Sequence, residues 1–213
     1  MSLTPRDLAA CLLEAGAVRL RPLEPFTWAS GLKSPIYCDN RQLLGFPDQR
    51  DQAVETLAAR ARQLKPTLIA GAATAGIAWA ALVADRLGLP MAYVRPEPKK
   101  HGMGRQVEGP DACGHRAVLI EDLISTGGSS LRCVEALRAE GAEVAAVLAL
   151  FSYGLPQAEA AFTGAGLPLE VLASFEALAE EAQDRGILDT AGSEALRDWR
   201  SDTVAWSRAR GGA

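Results

Sequence analysis

The sequence predicts an α/β fold, a doubly wound parallel sheet with a small hood subdomain, and three observations predict it. Short apolar runs at 67–70, 91–94, 117–120 and 144–151 have the length of strands and alternate with stretches of helical periodicity. Alternation of this kind implies right-handed crossovers and parallel strands, with ligands beyond their carboxyl ends. The run at 117–120 leads through Glu121 and Asp122 into Ser125-Thr126-Gly127-Gly128-Ser129-Ser130, a glycine- and hydroxyl-rich turn between strand and helix. The chain has 213 residues, 48% of them hydrophobic, enough for one domain over 1–213 with a substantial core.

The elements follow in order. Thr4-Pro5-Arg6-Asp7 reads as an N-cap, a proline at the first helical position and an acid three residues after the cap, opening a helix to about Ala15 that Gly16 ends. Residues 19–42, rich in Pro, Ser, Gly and aromatics, predict strands and turns. They are expected to form the hood, about 1–42, with part of the C-terminal segment. The core is expected over about 48–174, starting with an amphipathic helix at 48–64 that Pro66 separates from the strand at 67–70. A helix at 77–87 leads to the strand at 91–94, and a helix near 128–139 joins the strands at 117–120 and 144–151. Between them, 99–115 holds four glycines and few large apolar residues, so it is expected to be a long, exposed, mobile loop. The tail at 208–212 is expected to be disordered.

Composition narrows the function. A net charge of -4 disfavours a general nucleic-acid binder, and no nucleic-acid partner is expected. Cys11, Cys38, Cys113 and Cys133 are dispersed, with only His101 and His115 beside them, so they read as reduced thiols rather than zinc ligands or disulfides. The N-terminus lacks the apolar core of a signal peptide, and no run approaches ~18 apolar residues, so a cytoplasmic protein with no membrane partner is expected. No Walker A loop, dinucleotide fingerprint or nucleophile elbow is present.

The turn after the central strand has the chemistry of a ribose 5-phosphate seat. A helix N-terminus leaves N–H groups unpaired and carries partial positive charge, and Gly127 and Gly128 let a phosphate approach the backbone. Glu121 and Asp122 suit vicinal hydroxyls, because ionised carboxylates only accept hydrogen bonds and a diol offers two donors. Gly71 to Ile77, small residues between strand and helix, form a weaker anion-loop candidate at Thr74, Ala75 and Gly76, for which helix–strand packing has similar weight. Arg95, Lys99, Lys100 and His101 place positive charge after a strand, at the edge of the sheet where the phosphate turn is expected.

The 117–130 segment resembles the 5-phosphoribosyl-1-diphosphate (PRPP) motif of type I phosphoribosyltransferases. Arg95, Lys99 and His101 match the catalytic flexible loop of orotate phosphoribosyltransferases, with Pro96 where many relatives have a lysine. Phe26 to Tyr37 is similar to the Phe-x-x-x-Ser-Gly-x-x-Ser-Pro signature of the same family, with Ala29 where some relatives carry a lysine, and Ala75 departs in the same way. The resemblance covers essentially the whole chain, including the C-terminal helices around Phe175 to Leu188 and Trp199.

What the resemblance implies is transfer of the phosphoribosyl group from PRPP to orotate, giving orotidine 5′-monophosphate and diphosphate in pyrimidine biosynthesis. It implies Arg95, Lys99 and His101 as catalytic residues on the diphosphate. It implies Glu121, Asp122, Leu123, Ile124, Ser125, Thr126, Gly127, Gly128 and Ser129 as PRPP contacts, and Ser125, Ser30, Gly31 and Tyr37 as orotate contacts. It also implies Mg²⁺ carried by PRPP rather than by direct protein ligands, and a homodimer with shared active sites. Two other readings stay open on the residues alone: a PRPP-sensing regulator without catalysis, and a transferase for another base.

Overall fold

A computed structural model of the chain describes residues 3–28, 30–97 and 105–213. Its centre is a six-stranded sheet built from β5 (Leu68–Ala72), β6 (Met91–Val94), β7 (Val107–Glu108), β8 (Arg116–Ile124), β9 (Glu143–Ser152) and β10 (Leu169–Ala173). The order across the sheet is β10-β9-β8-β5-β6-β7, parallel except for the pairing of β7 with β6. Strand order reverses between β5 and β8, and in open α/β sheets ligands bind at such a switch point, beyond the strand ends.

Side chains of the central strands alternate between two cores. Ile69, Val118, Ile120 and Leu148 face one side, with α1 (Pro5–Glu14), α2 (Pro47–Gln63), α3 (Gly76–Leu87), α6 (Phe175–Asp184) and α7 (Thr190–Ser201). Leu68, Ala70, Leu119 and Val147 face the other, with α4 (Gly128–Ala139) and α5 (Pro156–Gly164). A strand buried on both faces reads as a continuous apolar run, which is why the sequence shows these strands as runs rather than alternations. The first helix forms as its cap predicts: the Thr4 hydroxyl accepts from the Asp7 N–H, and the Asp7 carboxylate accepts from the Thr4 N–H.

Two short antiparallel pairs lie outside this sheet: β1 (Val18–Leu20) with β4 (Ile36–Cys38), and β2 (Phe26–Thr27) with β3 (Lys33–Ser34). A 3₁₀ helix at Asn40–Gly45 then joins β4 to α2.

Three expectations need correction. The central strand does not end at Ile120 but runs to Ile124, because β9 continues to Ser152 and offers ladder partners to Glu121, Leu123 and Ile124. The segment at 99–115 is not an exposed loop throughout: β7 pairs Val107 with Val94, and Val107 and Ala112 are buried. The tail is ordered. Helix α8 (Thr203–Arg208) leads to Arg210, whose guanidinium lies 3.7 Å from the Trp206 ring centroid, and the Ala213 N–H donates to the Gly31 carbonyl at 3.1 Å.

Candidate active site

The carboxyl ends of β5 and β8 open into a cavity of about 240 Å³. Its wall includes Ala72, Ala73, Thr74 and Ala75 from the β5–α3 turn, Glu121, Asp122 and Leu123 from β8, and Ser129 and Arg132 from α4. Glu121 is buried, its Oε2 accepting from the Ser130 hydroxyl at 3.0 Å and its Oε1 from the Asp122 N–H at 3.1 Å. Burial, and then the charge of Asp122, push the Glu121 carboxyl up to about 8. Burial raises Asp122 too, offset in part by its hydrogen bond with Glu121 and by the charge of Arg41. The two acids therefore titrate as a pair that retains a proton near neutral pH, since two adjacent desolvated carboxylates disfavour double ionisation.

The backbone at Asp122 is held from outside the sheet. Asn40, fully buried, donates from Nδ2 to the Asp122 carbonyl at 2.6 Å, and the Cys38 thiol donates to Asn40 Oδ1 at 3.1 Å. Burial raises the Cys38 thiol strongly, so it stays a neutral donor.

A second cavity, about 230 Å³, adjoins the first. Trp28, Tyr37, Cys38, Leu123, Ser125 and Tyr153 line it, so Leu123 stands in the wall of both. Trp28 stacks on Tyr153 with ring centroids 5.9 Å apart and meets Trp199 edge-on at 6.1 Å. Tyr37, 42% exposed, leans against Phe26 at 5.7 Å. Flat aromatic walls with the hydroxyls of Tyr37, Ser125 and Tyr153 among the lining residues suit a planar heterocycle that keeps a polar edge.

Two glycines permit close packing of the helices that flank the site. Gly127, the N-cap of α4, has φ +83°, and a Cβ there would lie 2.9 Å from Phe162 Cε2 on α5. A Cβ on Gly76 would stand 2.5 Å from the Ile120 carbonyl oxygen, so this glycine lets α3 pack directly on β8. Of the weaker anion-loop candidates, Thr74 and Ala75 line the first cavity, while Gly76 serves helix–strand packing. The Ala73–Thr74 peptide is cis.

Not every predicted site residue reaches these cavities. Ile124 turns its side chain into the core at 1% exposure, and its carbonyl accepts from Tyr153 N–H and the Ser152 hydroxyl. Arg95 directs Nη1 to Glu108 on β7 at 3.6 Å and lines neither cavity. Ser30 and Gly31 form the turn between β2 and β3, where the Gly31 N–H donates to the Trp28 carbonyl, and they too lie outside both linings. Lys99, His101 and Ala29 fall outside the described residues. Asn40, Gln106, Arg132 and Tyr153 are site residues the sequence reading missed. Gln106 pairs with Arg95: its backbone carbonyl accepts from the Arg95 N–H, and its side chain donates to the Arg95 carbonyl at 2.7 Å.

The phosphoribosyl transferase domain family matches residues 48–160. Orotate phosphoribosyltransferase of Listeria monocytogenes serotype 4b is 47% identical over 205 residues, covering 95% of this chain and 98% of its own length. The chain belongs to the orotate phosphoribosyltransferase family. The orotate phosphoribosyltransferase of Bacillus caldolyticus is 50% identical over 202 residues, 94% of this chain and 98% of its own length. The crystal structure of orotate phosphoribosyltransferase from Aeropyrum pernix aligns with a TM-score of 0.71 and 32% identity, covering 85% of this chain and 99% of that one. The doubly wound sheet is thus the type I phosphoribosyltransferase fold.

Proposed function

We infer that the protein transfers the 5-phosphoribosyl group of PRPP to orotate, forming orotidine 5′-monophosphate and diphosphate in pyrimidine biosynthesis. The observation that carries this reading is the wall shared through Leu123: an acid-pair cavity suited to a ribose adjoins an aromatic cavity suited to a planar base. Glycosyl transfer needs the anomeric carbon at such a boundary, with the incoming nitrogen on one side and the leaving group on the other.

In this reading Thr126, Gly127, Gly128 and Ser129 hold the 5′-phosphate on the N-terminus of α4, and Glu121 and Asp122 accept from the ribose hydroxyls. Tyr37 and Ser125 orient orotate, and Trp28 and Tyr153 complete its pocket. Arg95, Lys99 and His101 serve the diphosphate, with Arg95 exchanging Glu108 for the substrate. A bond forms from the orotate ring nitrogen to the anomeric carbon as the bond to diphosphate oxygen breaks, with inversion and with the electron pair leaving on diphosphate. Positive charge develops at the ribose, so neutralising the leaving group and excluding water matter more than proton transfer. Glu121 and Asp122 offer oxygen donors of the hard type Mg²⁺ takes, and an Mg²⁺ carried by PRPP would supply positive charge to the leaving diphosphate.

The same reading takes the chain as one domain, with a hood from 1–42 and part of the C-terminal segment over a core at 48–174, and as a cytoplasmic homodimer whose loops at about 99–115 serve neighbouring sites. Among the described residues no helix is long and apolar enough to cross a membrane. Incubation with PRPP, Mg²⁺ and a panel of bases tests the activity. Orotidine 5′-monophosphate from orotate alone is the expected product, while a different nucleotide, or PRPP binding without turnover, would replace this reading. Sedimentation of the purified protein tests the dimer.

A further inference from the structure

The acid-pair cavity carries two carboxylates in its wall and, among the described residues that line it, a single cationic side chain, that of Arg132. Arg132 lies on α4 four residues after Gly128. Helical side chains lean toward the N-terminus, so a residue covers the turn before it. Accordingly, Nη1 of Arg132 lies 3.6 Å from the position a Cβ on Gly128 would take. The same lining includes the β5–α3 turn at Thr74 and Ala75, whereas 126–128 are not part of it. Among the described residues the guanidinium has no ion pair or hydrogen bond, in contrast to Arg95, which is held at Glu108.

We propose that Arg132 is a further substrate-binding residue, a cation for the diphosphate end of PRPP. The proposal rests on reading the site as a PRPP site. A cavity that already holds Glu121 and Asp122 repels a polyanion unless positive charge faces them. A guanidinium answers this with a planar fork of donors that matches two phosphoryl oxygens at once. Sharing this lining with Thr74 and Ala75, the anion-loop candidates, while 126–128 lie outside it, directs the guanidinium to the part of the substrate beyond the ribose. Because free diphosphate occupies the same place after transfer, Arg132 acts on the substrate and on this product alike.

Calorimetric titration separates the two ends of the substrate. Inorganic diphosphate with Mg²⁺ probes the leaving-group end, and orotidine 5′-monophosphate probes the 5′-phosphate, ribose and base without it. For Arg132→Ala the expected result is a roughly tenfold loss of diphosphate affinity, the size of one charge-assisted contact, with nucleotide affinity unchanged. Arg132→Lys is expected to recover part of the loss, since it keeps the charge and loses the fork. A matching rise in KM for PRPP should accompany it, with KM for orotate constant. Equal losses for both ligands would overturn the assignment and place Arg132 at the 5′-phosphate; no loss for either would make it a solvated helix-face arginine. Wild-type protein that binds neither ligand would instead overturn the reading of the site itself.

Discussion

Asn40 and Asp122, 82 residues apart in the chain, are joined by a 2.6 Å hydrogen bond from a fully buried side-chain amide to a main-chain carbonyl. The bond ties the segment after β4 to the strand that presents the acid pair. Asn40→Ala leaves the Asp122 carbonyl short of a donor in a desolvated place, at a cost of ~1–3 kcal/mol. Urea denaturation is expected to show that loss, and PRPP KM to rise while orotate KM changes less. Unchanged stability together with unchanged PRPP KM would remove Asn40 from any role in placing Asp122.

Glu121 gives a pH signature. Its folded value, about 8, lies above the ordinary 4.5 because burial and Asp122 disfavour its charge. Between those values the folded state binds more protons than the unfolded state, so stability falls as pH rises from about 4.5 toward 8 and levels off above. Glu121→Gln removes this contribution. Its melting temperature is expected to exceed that of the wild type at pH 8.5 by more than at pH 5, with Asp122, raised in the same direction, retaining a smaller slope. Parallel pH profiles for the two proteins would mean that Glu121 titrates normally.

Gly127 stands between the phosphate turn and α5. Gly127→Ala puts a Cβ at φ +83° and 2.9 Å from the Phe162 ring, and the backbone conformation alone costs about 1–2 kcal/mol. Adding Phe162→Leu should restore the steric part of the stability and leave the backbone part. A Gly127→Ala protein as stable as the wild type, measured by chemical denaturation, would contradict this geometry.

Lys99 lies outside the described residues, and its test is kinetic. An interaction made mainly with departing diphosphate acts on kcat rather than on PRPP binding. Lys99→Ala is expected to lower kcat on the order of a hundredfold with a smaller change in the Kd for PRPP. Unchanged turnover in steady-state assays would take Lys99 out of the catalytic set.

Much of the fold was legible because it is written locally. The Thr4 to Asp7 cap, the apolar run into Glu121 and the Gly127-Gly128 turn each lie within a few consecutive residues, and local sterics and periodicity decide such features. Strand β7 was not legible: two residues carry no period, and Val107 becomes a strand only by pairing with Val94. The tail was misread for a similar reason. Arg208 to Ala213 has a loop-like composition, and its order comes from Trp206, Ser207 and Gly31, which the chain brings to it from elsewhere.

The site divides along the same line. By itself the sequence determined the acid pair, the glycine turn and the aromatic segment ending at Tyr37, because each is a short pattern with its own chemistry. Tertiary structure alone decided that Leu123 joins two cavities, that Asn40 holds Asp122, that Ile124 belongs to the core, and that Arg132 lines the same cavity as Thr74 and the acid pair. Those relationships depend on strand order, on register and on which face of a helix meets the sheet. Packing of the whole chain sets these, and no contiguous stretch of residues contains them.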